Sequence, residues 1–204
     1  MSDRKAYWEQ IYSTRKPHEV GWFQAYPEIP LHLIASTGVD RNAAIIDVGG
    51  GASNLVDALL ENGYSDVTVL DLSAAALEAT RARLGEASSR VKWLVEDITC
   101  FNPPRQYDVW HDRAVFHFLT EASDRQHYME AARAALPPGG NLIMAAFALD
   151  GPPQCSGLDV VRYSPESLQR EAGDGFTLAE SFGGLHITPS QGKQSYTFCR
   201  FIRK

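Results

Sequence analysis

Apolar positions along the chain alternate between two rhythms. Ala44–Val48 (AIIDV), Asp66–Leu70 (DVTVL), Val91–Val95 (VKWLV), Tyr107–Trp110 (YDVW) and Asn141–Phe147 (NLIMAAF) are short, largely apolar, partly β-branched runs that read as buried strands. Helical spacing fills the gaps between them. In SNLVDALLEN, Leu55, Leu59 and Leu60 share one face and Ser53 suits a cap. Ser73–Leu84 is rich in good helix formers, and a helix over 122–135 stops at Pro137-Pro138-Gly139-Gly140. Pro165–Glu171 reads as a further helix, with two closing strands near 176–181 and 195–202. Ahead of the first strand, 5–13 and 28–36 read as helices. They flank a loop, Arg15–Pro27, that carries Trp22, Phe23 and Tyr26.

Strands alternating with helices predict an α/β fold, a mostly parallel sheet with helices on both faces. Such a sheet binds ligands at the carboxyl ends of its strands. With 204 residues and no internal repeat, the chain reads as a single domain, with residues 1–40 as an N-terminal helical cap or lid and 41–204 as the core.

Composition narrows the picture only in places. Net charge is −6 and the pI about 5.5, which argues against nucleic acid as a partner. Cys100, Cys155 and Cys199 lie far apart without a CxxC pair, so neither a metal site nor a disulfide framework is expected. No apolar run spans a membrane and the N-terminus lacks a signal-peptide core, so a cytoplasmic protein is the expectation.

Chemistry concentrates at the predicted strand ends. Asp47-Val48-Gly49-Gly50-Gly51-Ala52-Ser53 follows the first strand, and glycines there let the backbone pass close to a ligand. The spacing departs from G-x-G-x-x-G, because Asn54 takes the third glycine's place. Asp71, followed by Leu72, ends the second strand, 20 residues after Gly51, where an acid accepts hydrogen bonds from ribose hydroxyls. Asp71 also suits the cap of the helix near Ser73. Asp97 and Ile98 end the third strand, where an acid and an apolar side chain suit an adenine ring. An NAD dehydrogenase would also use a glycine turn, but the chain offers neither a second domain nor a hydride-transfer site.

The series IIDVGGG, VTVLDLS, VEDIT, YDVWHDR and LPPGGNLIM resembles the motifs of class I S-adenosylmethionine (SAM)-dependent methyltransferases, from about residue 44 to the end. The resemblance implies a Rossmann-like seven-stranded sheet with an antiparallel last strand, and SAM as cofactor. It sets Asp47, Gly49, Gly50 and Gly51 against the methionine part, Asp71 with Leu72 against the ribose, and Asp97 with Ile98 against the adenine. Trp22 in the aromatic loop joins this cofactor set.

The acceptor side is expected at the end of the fourth strand, where His111, Asp112, Arg113 and His117 fall within seven positions. Either histidine is a candidate general base. Asp112 is a candidate to orient the nucleophile or the SAM ammonium, and Arg113 to hold an anionic acceptor. Each also has a purely structural reading, as a helix cap or an ion-pair member. Trp8, Tyr12, Trp22 and Phe23 suit an aromatic lid over a cationic sulfonium. Two shorter resemblances point different ways. YWEQIYSTRKPHEVGWFQ is similar to the start of methyltransferase-like protein lysine methyltransferases. WHDRAVFHFLTEASDRQHY is similar to a segment of thiopurine S-methyltransferases, in which an arginine at the place of Arg113 lies beside the substrate. The lysine enzymes carry Asp-Lys-Gly-Thr where this chain has Asp112-Arg113-Ala114-Val115, so a small-molecule acceptor, a thiol or other heteroatom, is favoured over a protein lysine. A SAM-binding protein without catalysis is the third reading. Asn102-Pro103-Pro104 mimics an amino-methyltransferase motif, but it precedes the fourth strand and reads as a turn.

Overall fold

The structure is a computed structural model describing residues 3–204. In chain order the elements are α1 (Asp3–Thr14), α2 (Glu28–Ser36), β1 (Ala44–Val48), α3 (Leu55–Glu61), β2 (Asp66–Asp71), α4 (Ala74–Leu84), β3 (Val91–Val95), β4 (Val109–Arg113), α5 (Ala122–Ala135), β5 (Asn141–Phe147), β6 (Gln154–Cys155), β7 (Leu158–Asp159), α6 (Pro165–Ala172), β8 (Phe176–Ile187) and β9 (Lys193–Arg203). The main sheet has seven strands in the order β3-β2-β1-β4-β5-β9-β8. The first five strands run parallel, and β9 is antiparallel to both β5 and β8. This is the Rossmann-like sheet expected from the sequence.

The pleat divides the core. Ala44, Ile46 and Val48 of β1 face Tyr128, Met129 and Leu168 from α5 and α6. Ile45 faces Leu33, Leu55 and Leu59 from α2 and α3 on the other side. Strand order reverses between β1 and β4, so the crevice beyond their carboxyl ends is the place this topology offers to a ligand.

Three regions differ from the sequence reading. The fourth strand lies at Val109–Arg113 rather than Tyr107–Trp110. Its His-Asp-Arg end hides the strand pattern, yet pairing with β1 and β5 carries it through to Arg113. Residues 154–159, read as loop, form a small hairpin turned by Ser156 and Gly157, both at positive φ. The last two strands are longer than 176–181 and 195–202, and Gly183-Gly184 lies within β8. A Cβ at Gly184 would stand 2.7 Å from the Phe198 ring on β9, so glycine there permits close strand packing.

Candidate functional site

Two adjoining cavities open at the carboxyl ends of β1, β2 and β4. The larger, about 760 Å³ including its mouth, is lined by Asp71, Leu72, Asp97 and Ile98 and by the rings of Trp8, Tyr12, Trp22 and Phe118. The smaller is bounded by Asp47, Gly50, Asn54, His111 and Gln24. Tyr12, Trp22, Val48, Gly49 and Arg113 border both, so they stand where the two spaces meet.

The floor is built from backbone and carboxylates. Gly49 has φ +70°, and a Cβ there would collide with Val115 Cγ2. A Cβ on Gly51 would run into Asp71 Oδ2 and stand 2.6 Å from Ala76 Cβ. This close approach lets the Gly51 amide donate to Asp71 Oδ2 at 2.9 Å, while the Ser73 amide donates to Oδ1 at 2.8 Å. Asp71 therefore braces the glycine turn and the start of α4. An ionised carboxylate offers about four lone-pair positions, so two remain for a ligand. Burial, with Asp47 and Glu9 nearby, outweighs those two amides and raises the Asp71 carboxyl to about 6. Asp97 caps its own turn, accepting from the Thr99 amide at 3.0 Å.

Asp47 and His111 lie directly opposite one another in the β1–β4 register, and their side chains meet, His111 Nδ1 to Asp47 Oδ1, at 2.7 Å. Asp47 Oδ2 is buried and has no partner among the described residues. Arg113, on the same face of β4 as His111, donates through Nη1 to the Trp22 carbonyl at 2.9 Å, and its guanidinium stacks 5.0 Å from the centre of the Tyr196 ring. Its Nε and Nη2 are buried without a partner among the described residues. The loop bearing Trp22 is also pinned from below, since Asn54 Nδ2 donates to the carbonyls of Gln24 and Ala25.

The other two candidates of this segment border neither cavity. Asp112 points to the opposite face of β4. There it accepts from the amides of Val115 (2.9 Å) and Phe116 (3.1 Å) and from Tyr128 Oη (2.7 Å), which in turn accepts from Trp110 Nε1. Burial raises the Asp112 carboxyl to about 6 against the pull of Tyr128 and those amides. His117 is enclosed between the rings of Phe118 and Phe147 and accepts from the Phe147 amide. Burial and the Arg113 charge push His117 down to about 3, leaving it neutral at physiological pH.

Sequence reasoning missed Arg4, Phe118 and Cys155 on the larger cavity and Gln24 and Asn54 on the smaller. Cys155 comes from the unpredicted hairpin, and only the folded chain brings it beside Arg113. Asn54 was noted only as a departure from a glycine pattern. Among the described residues no cluster of histidine, cysteine and carboxylate side chains is set to hold a metal, and no helix is long and apolar enough to cross a membrane.

Three features fit SAM: a glycine turn that a Cβ would fill, a buried carboxylate oxygen without a partner among the described residues, and a cavity lined by both aromatic rings and acidic strand ends. Residues 46–142 match the family described as a methyltransferase domain. The chain is 29% identical over 162 residues to an EEF1A lysine methyltransferase 2 of Danio rerio, covering 70% of this chain and 67% of the relative. Among solved structures, one described as "Conversion of a Disulfide Bond into a Thioacetal Group during Echinomycin Biosynthesis" superposes with a TM-score of 0.78 at 18% identity, over 98% of this chain and 92% of that one. The glycopeptide N-methyltransferase MtfA complexed with SAM superposes with a TM-score of 0.69 at 16% identity, over 94% of this chain and 100% of that one.

Proposed function

We propose that the chain is a SAM-dependent methyltransferase with the class I fold and that it methylates a small-molecule nucleophile, anionic or readily ionised, with a thiol favoured. Bound SAM supplies an electrophilic methyl group on a cationic sulfur. In our reading the core over 41–204 holds it and the segment 1–40 caps it. Asp71 and Leu72 take the ribose, and Asp97 with Ile98 the adenine. The turn Gly49-Gly50-Gly51 and the free oxygen of Asp47 take the methionine part. Trp22 closes over the junction of the two cavities.

The observation that carries the acceptor class is Arg113, with two buried guanidinium nitrogens, Nε and Nη2, unpaired among the described residues where the cavities meet. A fixed positive charge there stabilises a thiolate or carboxylate and disfavours the approach of a lysine ammonium, which must also lose a proton. Tyr12, Trp8 and Phe118 exclude water from the same space, which strengthens that charge. His111, oriented by Asp47, is the one of the two candidate histidines that borders these cavities, and it keeps the role of proton acceptor where the nucleophile arrives protonated. Asp112 and His117 are assigned to positioning the β4 end.

The second reading, a protein lysine acceptor, is favoured by the zebrafish relative. Incubation with SAM labelled on its methyl group and a fractionated extract separates the two. Label in the small-molecule fraction is expected, and it should fall at least about 30-fold with Arg113→Ala, the lower end of what an unpaired buried charge costs. Label on a protein band, unaffected by that substitution, would replace this reading with the lysine one.

A further inference from the structure

Helix α1 roofs the larger cavity with Arg4, Trp8 and Tyr12, spaced four apart on one face. None of residues 4–14 is fully buried, so apolar packing alone does not clamp the helix in place. Polar ties reach three different elements. Arg4 pairs with Asp124 on α5 at 2.7 Å, Tyr7 Oη donates to the Ser156 carbonyl in the β6–β7 turn, and Glu9 meets the first turn of α4.

The Glu9 tie differs in where it leads. Its carboxylate accepts from Ser73 Oγ at 2.8 Å and from the amides of Ala74 and Ala75 at 2.8 and 3.1 Å. Those amides have no partner within their own helix, and a negative charge is favourable at that end. Burial alone would push the Glu9 carboxyl up, but the hydroxyl and the two amides outweigh it and hold the group below its ordinary range. The amide of the same Ser73 donates to Asp71 Oδ1. One residue is therefore bonded both to the roof carboxylate and to the floor carboxylate.

We propose that Glu9 is a positioning residue that couples closure of the α1 roof to occupancy of the floor at Asp71, through Ser73. A ligand hydrogen-bonded to Asp71 fixes the Asp71–Ser73 segment, the fixed segment presents its donors to Glu9, and α1 closes with Trp8 and Tyr12 over the reacting space. The inference rests on assigning Asp71 to the ribose.

S-adenosylhomocysteine is the probe. Its dissociation is followed by the fluorescence of Trp8 and Trp22, and amide hydrogen exchange is read over residues 4–14. In the wild type the ligand should slow exchange across α1. In Glu9→Gln, which keeps the shape and removes the charge, dissociation should accelerate about fivefold, the scale of one carboxylate at a helix end, and the ligand should no longer protect α1. Tyr7→Phe cuts a different tie of the same helix and should leave both readouts near wild type. Unchanged dissociation in Glu9→Gln would overturn the coupling, as would an equal effect of Tyr7→Phe, which would reduce Glu9 to one fastener among several. If Asp71→Asn binds the ligand as wild type does, the ribose assignment itself fails. If Asp71→Asn weakens binding and Glu9→Gln changes nothing, only the coupling fails.

Discussion

Asp71 at the end of β2 and Asp112 beside the end of β4 are the same chemical group in one sheet, both buried and both raised to about 6. They differ in what lies beyond the carboxylate. Asp71 accepts two backbone amides and borders the larger cavity. Asp112 accepts two amides and the Tyr128 hydroxyl and faces helix α5. The pleat causes the difference. Side chains two apart share a face, so His111 and Arg113 turn together towards the cavities while Trp110 and Asp112 turn towards Tyr128. An acid near a strand end thus borders a cavity or braces a core according to one step of parity.

The comparison is broken most strongly at the turn that Asp71 supports. Gly51→Val forces a side chain into Asp71 and Ala76, and overpacking of about 3 kcal/mol would weaken SAM binding about 100-fold by calorimetry. Near-wild-type affinity would mean that the turn relaxes freely and that Asp71 is not held by it.

A smaller effect sharpens the contrast by pH. On the proposed ribose assignment, the ionised form of Asp71 is the stronger acceptor for the ribose hydroxyls, so protonation weakens the hold on the ligand. SAM affinity should be full above about pH 6 and fall as pH drops below it, by at most about tenfold per unit. Titrations in Asp71→Asn should be flat across that window, and the same slope surviving in the variant would assign the dependence to another group.

Asp112 should respond in stability instead. Its folded carboxyl holds a proton to about 6, whereas the unfolded one releases it near its ordinary value. The folded state therefore binds more protons between those points, and stability falls as pH rises from about 4 to about 6, at no more than about 1.4 kcal/mol per unit. Above that window this contribution is constant. Urea unfolding of Asp112→Asn should show a shallower decline with pH than the wild type, with SAM affinity keeping its own pH profile. Loss of that profile in Asp112→Asn would merge the two carboxylates into one network.

Most of the fold was legible because its strands are short apolar runs between clear breakers. Ala44–Val48, Val91–Val95 and Asn141–Phe147 occupy the predicted spans, as do helices 28–36 and 122–135. The misplaced β4 shows where legibility stops. His111, Asp112 and Arg113 look like a loop after a strand, because the partners that draw them inside, Asp47, Tyr128 and the Trp22 carbonyl, lie elsewhere in the sequence. The β6–β7 hairpin escaped notice because two-residue strands carry no periodicity.

Local chemistry along the chain was enough to mark the glycine turn and the acids at the ends of β2 and β3, since strand, turn and cap preferences act over a few residues. That Asp112 turns away from the cavities, which histidine is shut in between phenylalanines, and how Glu9, Trp22, Cys155 and Tyr196 gather around the ends of β2 and β4 depended on register and pleat. Those are properties of paired strands and packed helices, and they exist only once segments distant in sequence have been brought into contact.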